Sequence, residues 1–226
     1  MPTYRILFVG LGKMGFHMAG YLSKNKNFKL FVFNRTKSVE HKWKKKFIAE
    51  SYNFKNDIKF DFIISCLKDD NAVNTFFNKF VKTSNFHKNS IIIDHSTISL
   101  RQIDLLSRTF KQRKVKFLDA PITGGEEGAK KGSLSVMVGG TELNFNKSKS
   151  IISSYSKSIT HMGKLGTGQL TKFTNQILIC GILYSISEAY LFSKKNKLDQ
   201  KKIFNAIKNG AANSWQFTNR YPTLTK

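Results

Sequence analysis

The sequence has few acidic side chains and few cysteines. Only 14 residues are Asp or Glu against 38 Lys or Arg, which gives a formal net charge of +24. The two cysteines, Cys66 and Cys180, lie in apolar runs without metal-ligand spacing. We therefore expect buried free thiols of a reducing compartment rather than disulfides or a zinc site. With 226 residues, 40% of them apolar, the chain can fill a core without such cross-links.

The large positive charge raises the prospect of an acidic partner such as nucleic acid. The lysines, however, are scattered along the chain rather than gathered with aromatic residues on one strand. This pattern favours a solvated, lysine-rich surface. A nucleic-acid site remains the alternative.

A secretion signal and a membrane span are also not expected. Strand-like residues begin at Tyr4, which leaves no room for a charged segment followed by an apolar signal core. Residues 177–192 are apolar but contain Ser185, Ser187 and Glu188, and we interpret this segment as too short and too polar to span a bilayer. These features predict a cytoplasmic protein without a membrane partner.

A glycine motif follows the first strand-like run. Residues 4–10 are strand-like, and Gly10, Gly12 and Gly15 have G-x-G-x-x-G spacing before a helical segment. In this context the glycines permit a tight turn, a close backbone approach to a pyrophosphate, and close packing of helix and strand. The N-terminus of the helix then faces the phosphates. We expect dinucleotide binding by Gly10, Leu11, Gly12, Lys13, Met14 and Gly15.

The end of the second strand, residues 28–33, bears on the type of dinucleotide. Proteins with this motif usually have an acidic residue there, which binds the ribose of NAD. This sequence has Asn34, Arg35 and Thr36 instead. Because no carboxylate repels a phosphate and an arginine is present to bind one, the site is predicted to prefer NADP, with NAD possible. The alternative is that Arg35 is an ordinary loop residue.

Strands and helices alternate through the first 162 residues. Apolar runs at residues 60–67, 90–94 and 115–120 read as buried strands between helical or glycine-rich segments. This alternation predicts an α/β fold with a doubly wound, mainly parallel sheet and helices on both faces. Ligands of such sheets bind beyond the carboxyl ends of the strands, so Leu67 and Thr97 are expected beside the cofactor. Four titratable residues are interpreted as structural or solvated: His95, His161, Glu126 and Glu127.

A glycine-rich loop with one hydroxyl group follows the strand at residues 115–120. Thr123 precedes Gly124 and Gly125. Such a loop can turn several N–H groups and one O–H toward an anion such as a carboxylate. The alternative is a plain flexible turn.

From Gly166 onward the pattern is helical. A long helix to Lys195 is apolar nearly all round and is interpreted as buried between neighbours. It carries Lys172 and Asn175 three positions apart, hence on one face. If Lys172 is held in a cleft, partial desolvation shifts its pKa and makes it a suitable proton donor. The alternative is that its side chain reaches into water. The pattern predicts two domains, 1–162 and 163–226. The second domain has too few helices to cover the long helix, so either a second chain covers it or the domain is incomplete.

Four blocks of sequence together resemble one known family. They are GLGKMGFHMA at 10–19, DHST at 94–97, DAPITGGEEGAKKGSLSVMVGG at 119–140 and GKLGTGQLTKFTNQ at 163–176. In this order and spacing they resemble the β-hydroxyacid dehydrogenases, which include 3-hydroxyisobutyrate dehydrogenase, tartronate semialdehyde reductase and glyoxylate/succinic semialdehyde reductases. The resemblance covers essentially the whole chain. It implies an N-terminal NADP-binding Rossmann domain and an all-helical C-terminal domain for dimerisation and substrate binding.

The resemblance also implies roles for individual residues. Lys172 matches the family's catalytic lysine, the general acid/base of hydride transfer between nicotinamide and a short β-hydroxyacid or semialdehyde. Asn175 matches the asparagine that helps to place the substrate, and Thr123, Gly124 and Gly125 match the loop that holds its carboxylate. A homo-oligomer, dimer or tetramer, is implied as well. Family members continue for several more helices, and a catalytically silent homologue that binds acidic partners is the alternative.

Overall fold

The computed structural model describes residues 4–224. Residues up to Lys172 form one compact unit and residues from Phe173 onward form another. The strands are β1 (Tyr4–Val9), β2 (Phe28–Phe33), β3 (Glu50–Ser51), β4 (Phe60–Ser65), β5 (Phe86–Asp94), β6 (Lys116–Asp119), β7 (Ile122–Thr123), β8 (Leu134–Gly139) and β9 (Ser156–Gly163). The helices are α1 (Lys13–Leu22), α2 (Lys37–Lys44), α3 (Asp70–Phe80), α4 (Leu100–Lys111), α5 (Gly125–Lys130), α6 (Glu142–Ile152), α7 (Thr167–Lys195), α8 (Gln200–Ile207) and α9 (Trp215–Leu224).

The strands form one sheet in the first unit. Its order is β3-β2-β1-β4-β5-β6-β8-β7, and β9 pairs with β8. Neighbours from β3 to β6 are parallel, whereas β8 is antiparallel to both β6 and β7. The predicted doubly wound, mainly parallel sheet is confirmed. Because the strand order reverses between β1 and β4, a ligand crevice is expected at the carboxyl ends of these two strands.

Side chains of the central strands alternate between two apolar layers. In β1, Ile6 and Phe8 belong to one layer, whereas Leu7 and Val9 belong to the other. The first layer packs against α1, α2, α5 and α6, and the second packs against α3 and α4. Both faces of each strand are therefore buried, which explains why these strands appear as continuous apolar runs in the sequence.

Helix starts follow the capping residues that the sequence supplies. The side chain of Asp69 accepts a hydrogen bond from the backbone of Ala72 at the start of α3, and Asp199 accepts two at the start of α8. Glu126 and Glu127 lie in the first turn of α5, where carboxylates interact favourably with the helix dipole. The interpretation of this glutamate pair as structural agrees with that position.

The expectation that α7 is buried between neighbours does not hold within this chain, whereas the expectation that the second domain has too few helices to cover it agrees with the structure. In the second unit, Ile186 of α7 packs with Phe217 and Tyr221 in one small core. Other apolar side chains of the helix point away from it, and Ile177 and Phe192 are 73% and 68% exposed. Within residues 173–224, α8 and α9 cover one stripe of the long helix. The remaining apolar surface has no cover within the part of the chain that the structure describes.

Two further expectations about α7 are corrected. Cys180 is exposed rather than buried. The helix has 29 residues, and a window within it is apolar enough to cross a membrane by length and composition alone. The expectation that this segment is too short to span a bilayer is therefore wrong. Many core helices also satisfy these two criteria, so the feature by itself carries little weight.

Asp94 is a buried carboxyl group at the end of β5. Its Oδ1 accepts hydrogen bonds from Ser65 Oγ at 2.8 Å and from Ser96 Oγ at 2.6 Å. Its Oδ2 has no hydrogen-bond partner among the described residues. Burial in this position raises the pKa of Asp94 to about 6, since desolvation disfavours the charged form.

His95 is the next residue and is also buried. Its Nδ1 lies 2.6 Å from the carbonyl oxygen of Ala120, and its Nε2 lies 2.8 Å from the hydroxyl of Tyr155. A neutral ring satisfies both contacts, with Nδ1–H as donor and Nε2 as acceptor. Burial lowers the pKa of His95 to about 4. These contacts agree with the interpretation of His95 as structural.

We expect Asp94→Asn to make the protein more sensitive to acid. Because burial raises the pKa of Asp94 to about 6, the folded state binds this proton more tightly than the unfolded state, and Asp94 adds stability as the pH falls from about 6 to about 4. His95 has the opposite sign, since its lowered pKa removes stability as the pH falls from about 6.5 to about 4. In Asp94→Asn, only the loss of stability caused by His95 remains as the pH falls.

Urea unfolding of parent and variant at several pH values measures this difference. Between about pH 6.5 and about pH 4, the free energy of unfolding of Asp94→Asn should fall by on the order of 3 kcal/mol more than that of the parent. Asp57→Asn removes an exposed carboxylate and serves as the control with the same change in charge. Parallel pH curves for the parent and Asp94→Asn would contradict the prediction.

Candidate active site

The glycine turn between β1 and α1 lies at the carboxyl edge of the sheet. Gly10 has a φ of +96°, a conformation that favours glycine. A Cβ on Gly15 would collide with the carbonyl oxygen of Gly10, whereas no neighbouring atom lies within 4 Å of the Cβ position of Gly12. Lys13 and Met14 form the start of α1, where backbone N–H groups are free to bind an anion.

Asn34 connects this turn to the end of β2. Its Oδ1 accepts a hydrogen bond from the N–H of Leu11 at 3.0 Å, and its Nδ2 donates to the carbonyl oxygen of Thr36 at 2.9 Å. The N–H of Asn34 donates to Glu40 Oε2 at 3.2 Å, and Lys37 Nζ lies 3.1 Å from the same oxygen. Asn34 therefore shapes the glycine turn, with the buried Glu40 behind it. Sequence reasoning missed Glu40, whose one signal was a carboxylate within a basic helix.

A cavity of about 360 Å³ opens beside the turn. Its walls include six of the predicted cofactor residues: Gly10, Gly12, Asn34, Arg35, Thr36 and Leu67. The lining also includes residues that sequence reasoning missed, namely Phe54, Lys68, Thr75, Phe76 and Lys79. Thr97 is exposed in the loop after β5 and does not line this cavity. Cys66 lines it, and burial raises the pKa of the Cys66 thiol to about 12.

The residues around the cavity suit a phosphorylated dinucleotide. The rings of Phe54 and Phe76 suit a planar base, because aromatic and apolar walls are typical of such pockets. The open space beside Gly12 suits a pyrophosphate at a helix N-terminus, and Arg35 suits a further phosphate. Among residues 4–224, no group of three or more His, Cys, Asp or Glu side chains is arranged to hold a metal ion.

The predicted anion loop is a strand-to-helix turn. Thr123 ends β7, and Gly125 begins α5. Gly124 and Gly125 have φ values of +121° and +62°. Residues other than glycine rarely adopt these backbone conformations. Near the end of α5, the hydroxyl of Tyr21 in α1 donates to the carbonyl oxygen of Lys130 at 2.8 Å. The end of α5, the helix that follows the loop, is thus attached to α1.

Two side chains that sequence reasoning missed hold the start of α7 at the same edge of the sheet. Asp119, at the end of β6, accepts hydrogen bonds from the N–H groups of Gly166 at 2.7 Å and Gln169 at 2.8 Å. The side chain of Gln169 donates from Nε2 to the carbonyl oxygen of Ser96 at 2.6 Å. Burial raises the pKa of Asp119, although these N–H groups act in the opposite direction. The sequence offers no local signal for these contacts, because they join residues 47 to 73 positions apart.

Lys172 follows Gln169 by three positions on α7 and is half-buried. Burial lowers the pKa of Lys172, since desolvation disfavours the ammonium form. Its position agrees with the reading of a partly desolvated lysine rather than one fully in water. Asn175 lies on the same face of the helix by spacing, and its Nδ2 donates to Gln176 Oε1 at 3.1 Å.

Two family models match the chain and together cover nearly all of it. The NAD-binding domain of 6-phosphogluconate dehydrogenase matches residues 5–163. The NAD-binding domain of NADP-dependent 3-hydroxyisobutyrate dehydrogenase matches residues 166–226. The segment that begins with α7 is therefore similar to a dehydrogenase domain.

Individual relatives agree with these matches. An oxidoreductase of Shewanella frigidimarina is 35% identical over 97% of this chain and 76% of its own length. The mitochondrial 3-hydroxyisobutyrate dehydrogenase of Drosophila melanogaster is 32% identical over 92% of this chain and 64% of its own. The solved 3-hydroxyisobutyrate dehydrogenase of Mycobacterium tuberculosis, 24% identical, superposes with a TM-score of 0.86 over 98% of this chain and 75% of its own, which shows the fold.

The chain thus spans about two thirds to three quarters of the length of these relatives. The alternative of a catalytically silent protein that binds nucleic acid receives no support from them. The glycine turn, the sheet topology and both family matches lead to the same conclusion: the chain belongs to the β-hydroxyacid dehydrogenase family of NAD(P)-binding oxidoreductases.

Proposed function

We propose that this protein catalyses reversible hydride transfer between NADP and a short β-hydroxyacid or semialdehyde, with Lys172 as the general acid/base. The observation that carries the proposal is the half-buried amine of Lys172, whose pKa is lowered by burial, on a helix that starts at the carboxyl edge of the sheet. Ligands of doubly wound sheets bind at that edge. The substrate class comes from the relatives, which include 3-hydroxyisobutyrate dehydrogenases.

The chain's own residues supply the binding site for the dinucleotide. The glycine turn and the first N–H groups of α1 bind the pyrophosphate, and Arg35 with Thr36 binds the 2′-phosphate. The part of the cavity lined by Phe54 and Phe76 receives the base. When bound, the nicotinamide accepts or donates the hydride. The match with an NADP-dependent family model supports this preference, although NAD remains the second candidate.

Lys172 handles the proton of the reaction. In the direction of reduction, its ammonium group donates a proton to the carbonyl oxygen as negative charge develops there, which contributes about 10²- to 10⁴-fold to the rate. In the direction of oxidation, the neutral amine accepts the proton of the hydroxyl group. Partial burial favours this second role, because it brings the pKa of Lys172 closer to working pH.

The remaining candidate residues place the substrate. Thr123, Gly124 and Gly125 present a hydroxyl and backbone N–H groups to a carboxylate, which is the group that all candidate substrates share. Asn175 follows Lys172 by three positions on α7 and orients the reacting carbonyl. The candidates are 3-hydroxyisobutyrate, tartronate semialdehyde, glyoxylate and succinic semialdehyde, and a homo-oligomer is the expected assembly.

Substitution of Lys172 tests the central role. In Lys172→Ala, NADPH-dependent reduction of a panel of glyoxylate and tartronate, succinic and methylmalonate semialdehydes should fall by about 10²- to 10⁴-fold. NADPH binding should change less than about two-fold, because the glycine turn and Arg35 are untouched. Initial rates and fluorescence titration with NADPH measure these two effects.

Lys195→Ala is the matched control, since it removes an exposed lysine at the other end of the same helix. This variant should keep the parental rate. Near-parental turnover in Lys172→Ala, with cofactor still bound, would show that Lys172 is not the acid/base.

The pH dependence of the two directions should be opposite. Oxidation of the hydroxyacid requires neutral Lys172, so its rate should rise with pH and level off below about pH 10.4, because burial lowers the pKa of this amine. Reduction requires the ammonium form, so its rate should fall over the same range. Lys172→Arg stays charged and should lose the rise in the oxidative direction. If the oxidative rate of Lys172→Arg still rises with pH as in the parent, the pH dependence belongs to another group.

Arg35→Ala should change the preference between cofactors. The loss of a charge-assisted contact to phosphate should weaken NADPH binding by about 10- to 100-fold, with less than about a three-fold change for NADH. Titration of both cofactors into parent and variant measures the ratio. Arg113→Ala, which removes an exposed arginine, is the control. Equal losses for NADPH and NADH would contradict a role of Arg35 in binding the 2′-phosphate.

A further inference from the structure

Gln169 is a fully buried side chain in the first turn of α7. Its amide group makes two contacts with the loop after β5: Nε2 donates to the carbonyl oxygen of Ser96 at 2.6 Å, and Oε1 accepts from the N–H of Ile98 at 3.4 Å. The short Nε2 contact ties the helix turn that carries Gln169 to this loop, and the longer Oε1 contact makes the attachment two-pointed.

Ser96 connects this contact to the wall of the cofactor cavity. Its Oγ accepts a hydrogen bond from the N–H of Leu67 at 2.9 Å and donates to Asp94 Oδ1 at 2.6 Å. Leu67 lines the cavity. One residue therefore binds Gln169 through its carbonyl oxygen and the cavity wall through its hydroxyl.

Lys172 follows Gln169 by three positions, which places the two side chains on one face of the helix. Any shift of the first turn of α7 is therefore transmitted to the amine. General acid/base transfer requires heavy-atom distances of about 2.6 to 3.2 Å. A misplacement of about 1 Å can cost about 10²-fold in rate.

We propose that Gln169 is a positioning residue for Lys172, which it aligns with the cofactor cavity through the contacts of its amide with Ser96 and Ile98. This inference rests on the proposed function of Lys172. It assigns Gln169 no contact with substrate or cofactor.

The competing explanation is that Gln169 serves only to hold the fold together. Asp119 bears on this point, because it bonds the backbone N–H groups of Gly166 and Gln169. Those bonds do not need the glutamine side chain. Loss of the amide should thus leave the start of α7 bound to Asp119. It should remove the contacts that fix the orientation of the first turn relative to the loop after β5.

The experiment compares Gln169→Leu with Gln102→Leu. Gln102 is also a buried glutamine in the first turn of a helix, α4, and its Nε2 makes one long contact of 3.4 Å with Asn74 Oδ1. Gln169→Leu should lower kcat by about 10- to 100-fold with less than about a three-fold change in the KM for NADPH. Gln102→Leu should keep both constants within about two-fold of the parent. A parental kcat in a folded Gln169→Leu would overturn the proposal.

Gln169→Glu provides a signature that a purely structural role would not produce. A protonated glutamic acid can donate to the Ser96 carbonyl oxygen, whereas the carboxylate cannot. Burial raises the pKa of a carboxyl group. The ratio of variant to parent kcat should therefore recover as the pH is lowered, and Gln169→Leu should show no recovery. Absence of recovery in a folded Gln169→Glu, or an equal recovery in Gln169→Leu, would overturn the proposal.

A second measurement does not depend on turnover. Competitive acetylation of the whole protein with acetic anhydride, followed by peptide mass spectrometry, gives the pH at which Lys172 becomes reactive. In Gln169→Leu this pH should move upward, because the loosened turn hydrates the amine and reverses part of the effect of burial on its pKa. An unchanged profile would overturn the proposal, and should Gln169→Leu not fold, the same profile for Gln169→Glu decides. If instead Lys172→Ala keeps its activity while the acetylation profile shifts as expected, only the proposed function fails.

Discussion

The hydrogen bonds that hold the start of α7 to the ends of β5 and β6 are the interaction on which the candidate site depends. The first N–H groups of a helix have no partners within the helix, and a buried N–H without a partner is costly. Asp119 satisfies two of these groups from a neighbouring strand, and Gln169 then connects the same turn to the loop after β5. The start of the helix that carries Lys172 is thereby held at the carboxyl edge of the sheet, the edge at which doubly wound folds bind their ligands.

This edge combines burial with a high density of polar groups. Asp94, His95, Ser96 and Asp119 are all buried there, and burial shifts the pKa values of Asp94 and His95 in opposite directions. Most of their polar atoms have partners, either backbone groups of strand ends and loops or the hydroxyls of Ser65, Ser96 and Tyr155. Leu67 in the cavity wall, Asp94 and Ser96 after β5, and the start of α7 are consequently parts of one hydrogen-bonded network.

The second unit shows why burial is harder to predict than secondary structure. The prediction of a long helix is confirmed by α7, yet Ile177, Cys180 and Phe192 are exposed. An apolar sequence predicts that a helix surface is covered, but it does not identify the segment or chain that covers it. Within residues 173–224, α8 and α9 supply a small core around Ile186, Phe217 and Tyr221 and no more.

Local pattern by itself determined the alternation of elements, the glycine turn and the absence of an acidic residue after β2, because each depends on neighbours in sequence: strand side chains alternate with period two, and a left-handed φ at Gly10 requires glycine. Spacing also placed Lys172 and Asn175 on one face of a helix. Only the tertiary structure brought Asp119, Ser96 and Gln169 together, assigned Asn34 to the N–H of Leu11, and added Phe54 and Lys79 to the cavity. These contacts join residues that are far apart in the chain, and a hydrogen bond of this kind depends on where the strands end in space, which no local pattern of side chains specifies.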